Sequence, residues 1–153
     1  MIDIEVEDEA WNRALPDVEA LVLAAASAAL GQAGRTGGVV VLLADDAAVA
    51  DLNQRFRDKT GPTNVLSFPA PENPEGLLGD VALAFGVCAR EAVDQGKRLD
   101  HHLQHLVAHG VLHLLGYDHM TDDEAAEMEG LERVVMAGLG APDPYASEQG
   151  DHG

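Results

Sequence analysis

Basic residues are scarce in this chain: 9 Lys and Arg stand against 27 Asp and Glu, a formal net charge of −18. That balance argues against sequence-independent adhesion to nucleic acid, which rests on neutralising phosphates. It argues equally against an anionic membrane surface. Cysteine is almost absent. Cys88 alone cannot form an intrachain disulfide, so the chain suits a reducing cytoplasm, and Cys88 itself reads as a small buried hydrophobe. Long apolar runs are missing too. The longest, around residues 20–30, is Ala-rich and too short to span a bilayer. The start, Met1-Ile-Asp-Ile-Glu-Val, is acidic where a secretory leader is basic, so a cytoplasmic location is expected.

What is present fits one folded domain. The 153 residues are 46% apolar, enough for a real core. Ile2, Ile4 and Val6 alternate with acidic residues and predict a half-exposed strand. Pro16 suits the first position of a helix running to about residue 30, ended by Gly31 and Gly34. Residues 39–43 form a β-branched apolar run, and Asp45 or Asp46 can cap a helix through about Phe56. Gly61-Pro62 marks a turn before a strand at 65–68, stopped by Pro69. A Pro-rich loop at 69–78 leads to a strand at 80–85. Helical patterns follow at 87–97 and 100–115. Thr121 and Glu124 make a capping box for a last helix to about residue 137. The expectation is an α+β fold, a small mixed sheet packed with about five helices. A single domain over 1–140 and a loose, flexible tail over 141–153 complete it.

Histidine carries the functional signal. His101, His105, His109 and His113 fall at four-residue spacing, on one stripe of a helix. That stripe spans about 18 Å, so only neighbours can share one ion. His109 and His113 stand one turn apart, and Gly116 tolerates the left-handed backbone that reverses the chain. The reversal can return His119 to the same point. Three neutral imidazoles and an open position describe a catalytic zinc site. His105 then supports that site from one turn back, and His101, His102 and His152 are expected in solvent. The spacing His-x3-His-x2-Gly-x2-His is similar to that of metzincin-type zinc proteases, a zincin-like three-His site. Gly110, however, stands where those proteases carry their general-base Glu, which demotes peptide hydrolysis. Zinc can activate water unaided, and Arg suits phosphoryl oxygens. Arg55, Arg57 and Lys59 form a tight basic cluster that could hold a phosphate locally. Arg90, Lys97 and Arg98 read as readily as solvated helix charges.

Three blocks in order carry a family resemblance. They are Leu52-Asn-Gln-Arg-Phe-Arg-Asp-Lys-Thr-Gly-Pro-Thr-Asn-Val-Leu-Ser-Phe-Pro69, then Gly79-Asp80-Val81, then His105-x3-His109-Gly-x-Leu-His113-Leu-Leu-Gly-Tyr-Asp-His119. Residues 40–135 resemble the YbeY family of bacterial metal-dependent endoribonucleases. The resemblance implies a zinc site at one end of a small sheet, holding one Zn²⁺. It implies single-strand-specific cleavage of RNA in 16S rRNA 3′-end maturation and ribosome quality control. By position, His109, His113 and His119 are the metal ligands, with His109 and Arg57 in the catalytic machinery. Arg57 and Ser67 are substrate-binding residues; His105 supports the ligands or belongs to the core, and Asp118 reads equally as a support for a ligand or as a simple turn or cap residue. Ser67, Asn64 and Asp80 all fall in family blocks, and Ser67 and Asp80 read more readily as shapers of cleft and sheet than as groups that do chemistry. The implied partners are single-stranded rRNA and the small ribosomal subunit or an associated protein, with no membrane and no DNA.

Two other readings remain. One is a non-catalytic ribosome-assembly factor with a stabilising metal, favoured by the low basic charge. The other is a hydrolase of another substrate class on the same metal scaffold. The residues do not choose between attack by water and attack by an RNA 2′-hydroxyl, nor between zinc and nickel or cobalt.

Overall fold

A computed structural model describes residues 1–145. Ten elements follow in order: β1 (Ile2–Val6), α1 (Ala10–Ala14), α2 (Val18–Gln32), β2 (Gly38–Ala44), α3 (Asp46–Arg57), β3 (Val65–Pro69), β4 (Leu77–Ala84), α4 (Phe85–Asp94), α5 (Leu99–Leu114) and α6 (Asp122–Gly138). The four strands form one mixed sheet in the order β1-β2-β4-β3. β1, β2 and β4 run parallel, and β3 pairs antiparallel with β4 at the edge. The α+β class and the mixed sheet agree with the sequence pattern, and the six described helices fit the expectation of about five.

Apolar faces decide the layering. Central β2 and β4 are apolar along both faces, as strands covered on two sides must be. The main core sits where α2 and α5 cover one face of the sheet and α6 packs on those two helices, with Val22, Val41, Leu43, Val81, Leu83, Leu103, Leu112 and Met128 fully or almost fully buried. A smaller cluster of Ala44, Val49, Leu66 and Ala84 lies elsewhere, joined by Leu52 of α3 and Phe68 of β3. Cys88 is buried as expected, and burial together with the charges of Glu91 and Asp46 pushes its thiol up to about 12.

Several boundaries differ from the sequence expectation, each for a physical reason. α1 was not anticipated: it is one short turn, started by Asp8 Oδ1 accepting the Ala10 N–H. Trp11 anchors it, fully buried and donating its Nε1–H to the Ala44 carbonyl at 3.0 Å. α2 begins at Val18, two residues past Pro16. β4 takes Leu77 and Leu78 from the expected loop because pairing with β2 begins at Gly38. Phe85 opens α4 instead of closing the strand.

The stretch from Ala141, expected as a loose tail, is held as far as it is described. The Pro144 carbonyl accepts from Lys97 Nζ at 2.9 Å, and Asp143 pairs with Arg133 at 3.3 Å. The rest of that expected tail, including His152, lies outside the described residues.

Candidate metal centre

α5 brings the three-histidine cluster together through its last turn. The Gly116 N–H donates to the His113 carbonyl at 3.0 Å, and the Tyr117 N–H to the Leu112 carbonyl at 3.1 Å. That pair of bonds is a Schellman stop, and it needs the positive φ of 101° that Gly116 adopts. Five residues on, α6 starts with a complete capping box: Glu124 N–H to Thr121 Oγ1 and Thr121 N–H to Glu124 Oε1, both 3.1 Å. Two turn signals thus bracket His119 and fold it back over α5. Asp118 tightens the return by accepting the backbone N–H of His119 at 2.7 Å. Its charge also acts on the nearby His113 ring, favouring the protonated form against the larger effect of burial.

The three predicted rings converge. One nitrogen from each of His109, His113 and His119 lies within 4.8 Å of the other two. Their ring centroids are 4.7 Å (His109–His113), 5.2 Å (His113–His119) and 5.8 Å (His109–His119) apart. Burial and then the proximity of His109 and His119 push the His113 pKa down, favouring the neutral ring that donates a lone pair. This donor set fits a divalent ion of imidazole preference, and the open side faces a cleft.

The cleft has a volume of about 620 Å³, and its lining includes the three histidines, Arg57, Lys59 and Asn64. Arg57 reaches it from the C-terminus of α3. Its guanidinium donates to the Ser67 carbonyl and lies 5.7 Å from the Phe68 ring centroid. Buried Asn53 holds the following loop, donating to the Gly61 carbonyl at 2.9 Å and accepting from the Lys59 N–H at 3.2 Å. Ser67 lines the cleft, but its buried hydroxyl donates to the Gly110 carbonyl at 3.0 Å. The hydroxyl bond ties α5 to β3, and the Ser67 carbonyl holds Arg57. Asn64 is engaged as well, donating to Glu91 at 3.1 Å and accepting the Val65 N–H at 2.7 Å. Asp80 pairs with Val40 and Phe68 inside the sheet and does not line the cleft.

Gly110 explains why α5 lies so close to the sheet. A Cβ there would meet Val81 Cγ1 at 2.7 Å and Ser67 Oγ at 3.2 Å. The position that carries the general base in metzincin-type proteases is packed here against β4, with no room for a side chain.

The other cations are mostly tied down. Arg90 pairs with Asp46 at 3.1 Å, Arg98 with Asp100 at 2.7 Å and Arg55 with Asp51 at 3.3 Å.

His102 corrects an expectation. It is buried at 4% exposure rather than solvated, with Nε2 3.0 Å from Glu91 Oε1. His105, one turn before His109 on α5, is bonded to Glu132. Glu132 itself was not anticipated. This 1%-exposed carboxylate of α6 also meets His109 Nδ1 at 3.2 Å. Burial works against its charge, but hydrogen bonds from His105 and His109 prevail and hold it down at about 2. The available signal was its spacing: Met128, Glu132, Val135 and Met136 share the buried face of α6.

Comparison with known proteins agrees with this geometry. The signature of the family described as Endoribonuclease YbeY matches residues 3–140. A protein of that name from Paramagnetospirillum magneticum is 51% identical over 158 aligned residues, covering 96% of each chain. One from Maricaulis maris is 52% identical, covering 96% of this chain and 92% of that protein. A solution structure of a Thermotoga maritima protein shares the fold, with a TM-score of 0.57, 24% identity and 91% of each chain covered. A sequence match running from β1 past α6, at half-identity with whole proteins of that name, makes this chain a member of the YbeY endoribonuclease family.

Proposed function

We propose that this protein is a zinc-dependent, single-strand-specific endoribonuclease that acts in the cytoplasm, in 16S rRNA 3′-end maturation and ribosome quality control. Family membership carries the coarser activity, endonucleolytic cleavage of RNA. One observation carries the metal dependence: three imidazoles meet within 4.8 Å in the cleft that also holds Arg57 and Lys59. His109, His113 and His119 would hold the ion. Bound there, zinc supplies Lewis-acid stabilisation of phosphoryl charge and lowers the pKa of water beside it.

The chain's own residues do the rest. Arg57, anchored at one point on the Ser67 carbonyl, keeps the remainder of its fork for a phosphate. Lys59 adds a second positive charge to the same cleft. RNA would enter between them and the histidines, with its phosphate drawn to the cations and its bases left outside.

Two features speak against peptide hydrolysis. Gly110 leaves no space for a general-base side chain. The edge strand β3 is also poorly suited to pairing with a peptide. Its Val65 N–H is taken by Asn64 Oδ1, its Ser67 carbonyl by Arg57, and Pro69 has no N–H. The net charge of −18 favours a role for a ribosomal or associated protein in bringing RNA to the cleft. It equally keeps the assembly-factor reading in view.

A direct test uses chelator-stripped protein, verified metal-free, with and without restored Zn²⁺. Single-stranded RNA should be cut only with zinc, and a duplex of the same sequence should stay intact. Undiminished cutting by the metal-free chain would overturn the mechanism. In cells lacking the protein, His113→Ala that restored 16S 3′ ends as fully as wild type would favour the assembly-factor reading instead.

A further inference from the structure

Behind the three histidines lies a second cluster of polar groups, of which the expected site included only His105 and His109. Glu132 of α6 is its hub. Its Oε2 is 3.2 Å from His109 Nδ1, its Oε1 bonds His105 Nε2, and the same Oε1 accepts the Tyr145 hydroxyl at 2.7 Å. Tyr145 lies beyond α6, where the chain turns back across α5. Its ring stacks edge-on against His105, with centroids 5.4 Å apart, and Arg133 lies 5.1 Å from the ring centroid.

The chemistry of the hub fixes the protons around it. Carboxylate oxygens accept hydrogen bonds, and the three groups that converge on Glu132 are each able to donate, so each partner donates to it. Tyr145 donates its O–H. His105 donates from Nε2, and among the described residues its buried Nδ1 has no hydrogen-bond partner. His109 must donate from Nδ1. The lone pair of His109 is then on Nε2, the nitrogen on the opposite edge of the ring.

We propose that Glu132 is the positioning residue of the metal centre, locking His109 with Nδ1 protonated and Nε2 presented to the ion, and that Tyr145 clamps Glu132 in place. The metal centre is therefore built from more than the α5 turn: α6 and the segment after it hold the first ligand from behind. This rests on the reading of the three histidines as metal ligands. A carboxylate behind a ligating imidazole both orients the ring and raises its basicity, and losing such a group weakens metal binding by about 10–100-fold.

The experiment measures Zn²⁺ binding by competition with a chelator of known affinity, alongside the His109 tautomer by long-range ¹⁵N–¹H NMR on the metal-free chain. Wild type should bind one zinc and show His109 protonated at Nδ1. Glu132→Gln should bind zinc at least tenfold more weakly and show mixed tautomers at His109. Tyr145→Phe removes no charge and keeps the ring, so it should fold and still weaken zinc several-fold. If Glu132→Gln does not fold, the Tyr145→Phe affinity and the wild-type tautomer decide. Wild type with His109 protonated at Nε2 would overturn the proposal, as would variants that match wild-type zinc affinity within twofold. A wild type that binds no zinc at all would instead sink the metal reading on which this one stands.

Discussion

The two halves of α5 carry the same side chain in different company. In the first half, His102 and His105 each turn a ring nitrogen to a carboxylate, Glu91 and Glu132. In the second half, His113 shares a cleft with His119 and is hemmed in by other imidazoles. His109 stands at the border, with one edge on Glu132 and its ring 4.7 Å from His113. Helical spacing brings histidines to one face. What faces each ring decides whether it is an anchor or a ligand.

The sharpest way to separate the halves is to remove a ligand. His113→Ala should abolish stoichiometric zinc and RNA cleavage together while the fold persists, checked by elemental analysis, a cleavage assay and circular dichroism. Retained zinc at one ion per chain would erase the distinction. Next comes the cleft itself. Arg57→Ala should lower kcat/KM for single-stranded RNA by about 100-fold, the usual scale for losing one charge-stabilising donor. Its zinc content should be unchanged, since Arg57 touches no ligand. Unaltered kcat/KM would take Arg57 out of substrate binding.

The anchoring half should respond in stability instead. His102→Leu removes a buried donor from Glu91 and should cost about 1–3 kcal/mol in urea unfolding. Zinc content and cleavage at 25 °C should hold. Loss of zinc in this variant would mean that the two halves are not separable.

The smallest effect is on pH. His102 and His113 both have pKa values pushed below the ordinary 6.5, chiefly by burial, so the unfolded chain takes up their protons more readily. Stability is therefore full above about 6.5 and falls as pH drops below it. Glu132 is held down at about 2 from an ordinary 4.5, so its contribution persists above 4.5 and is lost between there and about 2. Thermal melts of the metal-free chain should decline in those two stages. A melting temperature flat from pH 7 to 5 would contradict the histidine stage.

The contrast along α5 also shows where sequence reading succeeds. The three-histidine cluster was legible because His109, His113, Gly116 and His119 form one local unit whose geometry is set by helix pitch and a glycine stop. His102 was not, because the stripe 101-105-109-113 drew attention away from the row beside it. His102, Leu106, Gly110 and Leu114 share that neighbouring row, and all four are buried. The row alone would have placed His102 in the interior. Glu132 was hidden differently. It is one acid among many in α6, and its partner lies across a helix interface that spacing within one element cannot reveal. Only its place among Met128, Val135 and Met136 marked it as a carboxylate in a core position. Strands followed the same rule: the apolar run of β2 was plain, whereas the start of β4 at Leu77 depended on pairing with Gly38, a non-local fact.

X-ray absorption at the zinc edge of the reconstituted protein bears most directly on the whole picture. Three imidazole nitrogens at about 2.0–2.1 Å, with the remaining position filled by light solvent atoms, are the expected shell. A sulfur neighbour, which would bring in Cys88, or fewer than two imidazoles would place the metal somewhere other than His109, His113 and His119.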